Sequence, residues 1–202
     1  MQIWRSFDVR SWLLGRGLRQ SQYFTGVAAA AALLPIVAAA AQTQADLQAF
    51  LAVHRCAIVE RFEIIHARGN PANSKDRFLA VTLRGQPQAY VQCLFFERDT
   101  KMSCEASSGF YAQKPEEPRR FRLAPEEVAA LGRLGFSTDD SAGNFKREIE
   151  IGSPPNLGAV ADLMLSALHD GYGARVKSRL KWSAPLAPRI NAKFSRCTPR
   201  GA

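Results

Sequence analysis

Three polar residues in the last third of the chain have the residue types of a hydrolytic triad. Asp162, Ser166 and His169 lie in a segment that predicts a helix, and their spacing places them on one face of it. A serine nucleophile also needs donors that stabilise an oxyanion. Because nothing in the sequence indicates such donors, we interpret the three residues as the polar face of an amphipathic helix.

Histidines offer no better case for chemistry. His54, His66 and His169 lack the close spacing of metal ligands. We predict that His54 lies among the apolar residues of its helix. His66 should end that helix, where a cation suits the helix dipole.

Two acidic pairs could in principle act as an acid and a base or bind calcium. Glu148 and Glu150 alternate with Lys146 on one face of a predicted strand, as solvated charges commonly do. Asp139 and Asp140 lack the other ligands of a calcium loop. We therefore predict no catalytic residue, no metal and no cofactor, and a protein that is not an enzyme.

The four cysteines predict disulfides if the chain is exported. They are Cys56, Cys93, Cys104 and Cys197. Residues 89–107 predict a hairpin that turns at Arg98 and Asp99 and places Cys93 opposite Cys104, close enough for a bond. A two-residue turn would make this a hydrogen-bonded pair, and a four-residue loop would reverse that parity. Cys56 and Cys197 would then pair; free thiols are the alternative.

Residues 1–41 have the pattern of a secretory signal peptide. A basic segment with a single acid precedes an uncharged alanine-rich stretch, and Ala39, Ala40 and Ala41 form a small-residue cleavage site. The apolar stretch is short for a spanning helix, which needs about 20 residues. We predict cleavage near Ala41 and a periplasmic or secreted protein. An uncleaved membrane anchor is the alternative.

The C-terminal part of the chain is strongly basic. The whole chain has a formal net charge of +9, and no acidic residue follows Asp170. The basic residues of this part include Lys177, Arg179, Lys181, Arg189, Lys193 and Arg196. Such a segment suits an acidic partner, which for an exported protein excludes nucleic acid and leaves an anionic envelope surface of lipid or cell-wall polymer, or an acidic protein face. We assign residues 184–202 to a basic tail, and a solubilising, disordered tail is the alternative.

Between these ends, residues 42–183 predict one α+β domain. Apolar periodicity predicts helices over 45–67, from Pro125 to about Phe136, and from about 156 to His169. Alternation predicts strands over 77–83, 89–97, 101–107, 144–151 and 176–182. The order α-β-β-β-α-β-α-β predicts an antiparallel sheet of four to five strands with helices on one side.

Aromatic residues mark the most plausible binding surface. Phe95 and Phe96 are consecutive in a predicted strand, so they cannot both face the same core. One of them could face a ligand or a second copy of the chain, together with Phe110 and Tyr111 from the following loop. A second buried layer is the competing interpretation.

Residues 42–182 resemble the TY-Chap superfamily, which includes type III secretion chaperones and YbjN-like proteins, and the segment that carries this family resemblance lies around residues 131–156. The resemblance rests on a short helix that ends in a Leu-Gly-aromatic sequence, an Asn-aromatic strand start and a proline-led last helix. These features are Leu134-Gly135-Phe136, Asn144-Phe145 and Pro154-Pro155. Gly135 would let the chain leave the helix, Asn144 would bond to loop backbone, and both phenylalanines would close over one core.

The resemblance implies a secretion-chaperone-like fold and a non-enzymatic domain, often a homodimer, that binds an extended segment of a protein partner. Secretion chaperones are typically acidic and cytoplasmic, whereas this chain is basic and has an export signal. We therefore expect an exported protein-binding or chaperone-like module. The alternative is an envelope-associated structural protein that its basic tail holds to an acidic surface.

Overall fold

The computed structural model describes residues 34–112, 121–188 and 197, with side chains from residue 42 onward. The chain divides into two units, residues 1–39 and 40–202, and everything below except the start of the first helix belongs to the second. Within the described residues, no helix combines the length and the apolar character that crossing a membrane requires.

In the part of the chain that the structure describes, three α-helices and five strands form the domain. The helices are α1 (Leu34–Arg68), α2 (Pro125–Arg133) and α3 (Leu157–Tyr172). The strands are β1 (Phe78–Leu83), β2 (Tyr90–Phe96), β3 (Lys101–Ala106), β4 (Phe145–Glu150) and β5 (Leu180–Ser183). The order matches the predicted one, and α1 begins before the predicted residue 45.

The five strands form one antiparallel sheet in the order β4-β3-β2-β1-β5. Along β1, β2 and β3 every second side chain is buried, because only one face of the sheet is covered. All three helices contribute to the core on that face, with α3 lying over β2. The predicted α+β fold with helices on one side is confirmed.

The last strand is shorter than predicted. Alternation indicated a strand over 176–182, but β5 begins only at Leu180. A turn precedes it, because the backbone of Ser178 donates to the carbonyl of Arg175 and its hydroxyl accepts from the Arg175 N–H. Lys177 and Arg179 are exposed residues of this preceding segment, so of the three basic residues within the predicted strand only Lys181 lies in β5.

The hairpin between β2 and β3 carries one of two disulfides. Cys93 lies opposite Cys104, with a Cα–Cα distance of 4.1 Å, and the two are bonded. The last strand pair is Phe96 with Lys101, so the loop has four residues and not the two-residue turn. This loop gives the cysteines the closer, non-hydrogen-bonded parity. The second disulfide joins Cys56 to Cys197.

A buried ion pair fastens the hairpin loop to the start of β1. Arg77 has an exposed fraction of 1% and Asp99 of 8%, and two guanidinium nitrogens lie 2.5 and 2.6 Å from the two carboxylate oxygens. The Arg77 guanidinium also lies 5.2 Å from the centre of the Phe95 ring. Such a pair is costly to desolvate and costly to break, because either partner alone would be a buried unpaired charge.

The segment that carries the family resemblance is a structural joint. Gly135 has a φ of 82°, which a side chain would disfavour. Phe136 and Phe145 are both nearly fully buried in the same core. The Asn144 side chain accepts a hydrogen bond from the backbone N–H of Ser108. These three sequence predictions are confirmed, and the joint holds α2 and β4 on the core.

Candidate functional site

The face of the sheet opposite the helices is a candidate binding surface. We name it the outer face; its residues on β1, β2, β3 and β4 are Phe78, Ala80, Thr82, Tyr90, Gln92, Leu94, Phe96, Lys101, Ser103, Glu105, Lys146, Glu148 and Glu150. All of them are partly or fully exposed. No helix of the described residues covers this face.

Apolar side chains gather at one end of the outer face. Phe78 lies directly opposite Leu94, and Phe96 follows two residues along β2 on the same face. Ala80 adjoins them on β1. We name these four residues the apolar patch. Since β-strand neighbours on one face lie about 5 to 7 Å apart, the patch is a group of adjacent apolar side chains, each of them partly exposed.

A charged band borders the apolar patch along β3 and β4. Lys101 lies 3.1 Å from the Glu97 carboxylate and 3.2 Å from that of Glu150. Hydrogen bonds raise the pKa of the Lys101 amine; the bond to Glu97 has the larger effect and the bond to Glu150 the smaller one. Farther along, Lys146 lies 4.0 Å from Glu105. The outer face is thus apolar at one end of β1 and β2 and charged along β3 and β4.

The structure separates the four aromatic residues that the sequence grouped as a binding surface. Phe95 faces the helices, is fully buried and contacts Phe62 edge-to-face at 5.9 Å, so it belongs to the core and not to a surface. Phe96 lies on the outer face. Phe110 and Tyr111 follow the far end of β3, about 20 Å away along a six-residue strand. Tyr111 is 68% exposed and contacts Phe110.

The triad-type residues on α3 do not meet. Asp162 makes an ion pair with Arg55 of α1 at 2.6 Å. His169 has its Nδ1 2.6 Å from Asp170 and is only 2% exposed, so the expectation that it lies on the polar face is wrong. The His169 side chain is buried because it packs against α1, where its ring centre lies 6.1 Å from that of Phe50.

The remaining sequence candidates show no cluster that could hold a metal among the described residues. His54 is half-buried against Phe50, and burial lowers the pKa of its imidazole. His66 lies at the end of α1, 3.6 Å from the Asp99 carboxylate. The tail residues Arg189, Lys193 and Arg196 lie outside the described residues.

Sequence reasoning missed Phe78, Leu94 and the Arg77–Asp99 pair. Phe78 could have been recognised from the apolar character of both faces of its strand. Leu79 and Val81 face the core, and Phe78 is a large apolar residue on the opposite face. The ion pair could not be predicted from local periodicity, because Arg77 and Asp99 are 22 residues apart in sequence and meet only when β1 pairs with β2.

Comparison with protein-family models identifies the family of this chain. A family model described as TY-Chap3, T3SS (YopN, CesT) and YbjN peptide-binding chaperone 3, matches residues 68–185. This range begins at the last residue of α1 and includes the whole sheet, α2 and α3. Neither the curated proteins nor the solved structures include a significant match.

Proposed function

The chain belongs to the TY-Chap3 family of peptide-binding chaperones, and we propose that it binds an extended segment of a protein partner on its outer face. The observation that carries the proposal is the apolar patch on a sheet face that no described helix covers. Family membership supports a chaperone-like, non-enzymatic role.

An extended peptide suits this surface for a geometric reason. Side chains on one face of a peptide strand recur about every 7 Å, which matches the spacing of side chains along β2. Apolar side chains of the peptide would contact Phe78, Leu94 and Phe96. Polar side chains would face Glu148 and Glu150 on the charged side. The same face would serve for a homodimer, so self-association is part of this proposal.

Replacing Leu94 with aspartate tests the proposal. Leu94 is the centre of the apolar patch, and removing it while adding a charge should weaken peptide binding at least about tenfold, given roughly 1.5 to 3 kcal/mol for one buried leucine. Binding is measured by photo-crosslinking: a photoreactive amino acid replaces Phe96, and mass spectrometry identifies the captured segment in cells with and without Leu94→Asp.

The matched control uses Val53, an exposed apolar residue on α1 with an exposed fraction of 45%. A photoreactive residue there should capture no partner segment, and Val53→Asp should leave capture at position 96 unchanged. Equal capture from both positions, or capture that persists in Leu94→Asp, would overturn the proposal. Capture of lipid or cell-wall polymer alone would instead favour a structural protein that its basic residues hold to an anionic surface.

Export is the second part of the proposal. A basic and then apolar N-terminus supports it, and so do two disulfides, which persist in oxidising compartments. Cleavage near Ala41 would leave Gln42–Arg68 of α1 on the mature chain. We expect N-terminal sequencing of the protein from a periplasmic or culture fraction to begin at Gln42. Recovery of an intact N-terminus from membranes would support an uncleaved anchor.

A further inference from the structure

The two disulfides differ in their access to solvent. Cys93 and Cys104 are both fully buried between the sheet and the helices. Cys56 is exposed on α1, and Cys197 is half-buried beside it. A thiolate must reach a sulfur atom along the S–S axis to exchange with it. In the folded protein, therefore, only the Cys56–Cys197 bond is open to attack.

The exposed disulfide lies in the wall of a groove large enough for a reacting thiol. This groove has a volume of about 880 Å³ and runs along α1 to Asp162 of α3. Its apolar side is formed by Leu51, Ala52 and Val59. The space admits a small thiol or the exposed active-site dithiol of a reductase.

We propose that Cys56–Cys197 is a thiol-exchange site, at which an external dithiol reduces this bond while Cys93–Cys104 stays oxidised. A thiolate of the dithiol attacks Sγ of the more exposed Cys56, the S–S bond breaks, and Cys197 leaves as a thiolate.

The second thiol of the reagent completes the reaction. It attacks the reagent sulfur in the mixed disulfide and displaces Cys56 as a thiolate, and both cysteines take up protons. Two electrons pass from the dithiol, which becomes a disulfide, to the protein, which gains two thiols. No other oxidant or reductant is needed.

Exchange at this site determines whether the basic C-terminal segment is covalently attached to α1. Upstream of it, the chain is held independently of the disulfide, since Arg68 donates to the Leu186 carbonyl at 3.0 Å and Ala184 and Ala187 are buried. Reduction thus removes the covalent link between Cys197 and α1, whereas the contacts of Leu186, Ala184 and Ala187 do not depend on that link.

Timed alkylation of the oxidised full-length protein tests this. The protein is treated with dithiothreitol under native conditions, quenched with iodoacetamide at intervals and digested for mass spectrometry. We expect Cys56 and Cys197 to be alkylated at least about tenfold faster than Cys93 and Cys104, whose reaction requires opening of the core. Equal rates, faster alkylation of Cys93 and Cys104, or no alkylation before global unfolding would overturn the proposal.

The matched control is the double variant Cys56→Ser/Cys197→Ser, which retains only the buried bond. Its circular dichroism spectrum should match that of the parent protein, and alkylation of Cys93 and Cys104 should stay as slow as in the parent. Fast alkylation in this variant would show that the exposed bond itself protects the core, and the two sites would then not be independent.

Discussion

Replacing Asp99 with alanine is expected to lower the free energy of unfolding by about 3 to 5 kcal/mol. The variant leaves the guanidinium of Arg77, which is 1% exposed, without the carboxylate that neutralises it. It also releases the hairpin loop, in which Glu97, Arg98 and Asp99 all have positive φ angles that residues with a Cβ disfavour. Urea denaturation followed by circular dichroism measures the change.

The surface ion pair between Arg55 and Asp162 is the control. Its side chains are 47% and 43% exposed, so Asp162→Ala should cost no more than about 1 kcal/mol. A second variant, Arg77→Met/Asp99→Leu, removes both buried charges and should recover most of the stability that Asp99→Ala loses. Similar losses from Asp99→Ala and Asp162→Ala would contradict this account of the hairpin loop.

Replacing Phe95 with alanine is expected to lower the free energy of unfolding by about 3 to 5 kcal/mol. The Phe95 ring is completely buried in the core, so its removal would leave a cavity. Its neighbour Phe96 points to the outer face, where the same substitution should cost no more than about 1 kcal/mol. Chemical denaturation of the two variants compares adjacent residues that differ only in the face they occupy.

The same two variants separate stability from binding. Phe96→Ala should weaken the capture of a peptide segment on the outer face, whereas folded Phe95→Ala protein should retain it. A large loss of stability in Phe96→Ala would show that the outer face is covered in the native protein, and the proposed binding surface would have to be abandoned. A loss of stability in Phe95→Ala as small as the one expected for Phe96→Ala would contradict the assignment of Phe95 to the core.

Local patterns predicted most of the architecture. Side chains that face the core recur every second residue in a strand, as over residues 101–107, and every three or four residues in a helix, as before His66. Both patterns can be recognised in the sequence without the structure. The same reasoning placed Cys93 opposite Cys104. It failed at residues 176–179, where the alternating pattern continues although a hydrogen-bonded turn occupies the backbone.

The candidate binding surface could be predicted only in part from the sequence. Consecutive aromatic residues in one strand required that Phe95 and Phe96 face opposite sides, but alternation could not say which side the helices cover. Phe110 and Tyr111 are close to Phe96 in sequence and distant in space, because a whole strand lies between them.

By itself, the sequence determined the element order, the one-sided α+β sheet and the family, because each follows from short-range periodicity and from motifs within a few residues. Only the tertiary structure decided that Phe78, Leu94 and Phe96 form one patch, that Arg77 reaches Asp99, and that one disulfide is exposed while the other is buried. These are contacts between distant segments, and strand register and helix placement, not local propensity, bring them together.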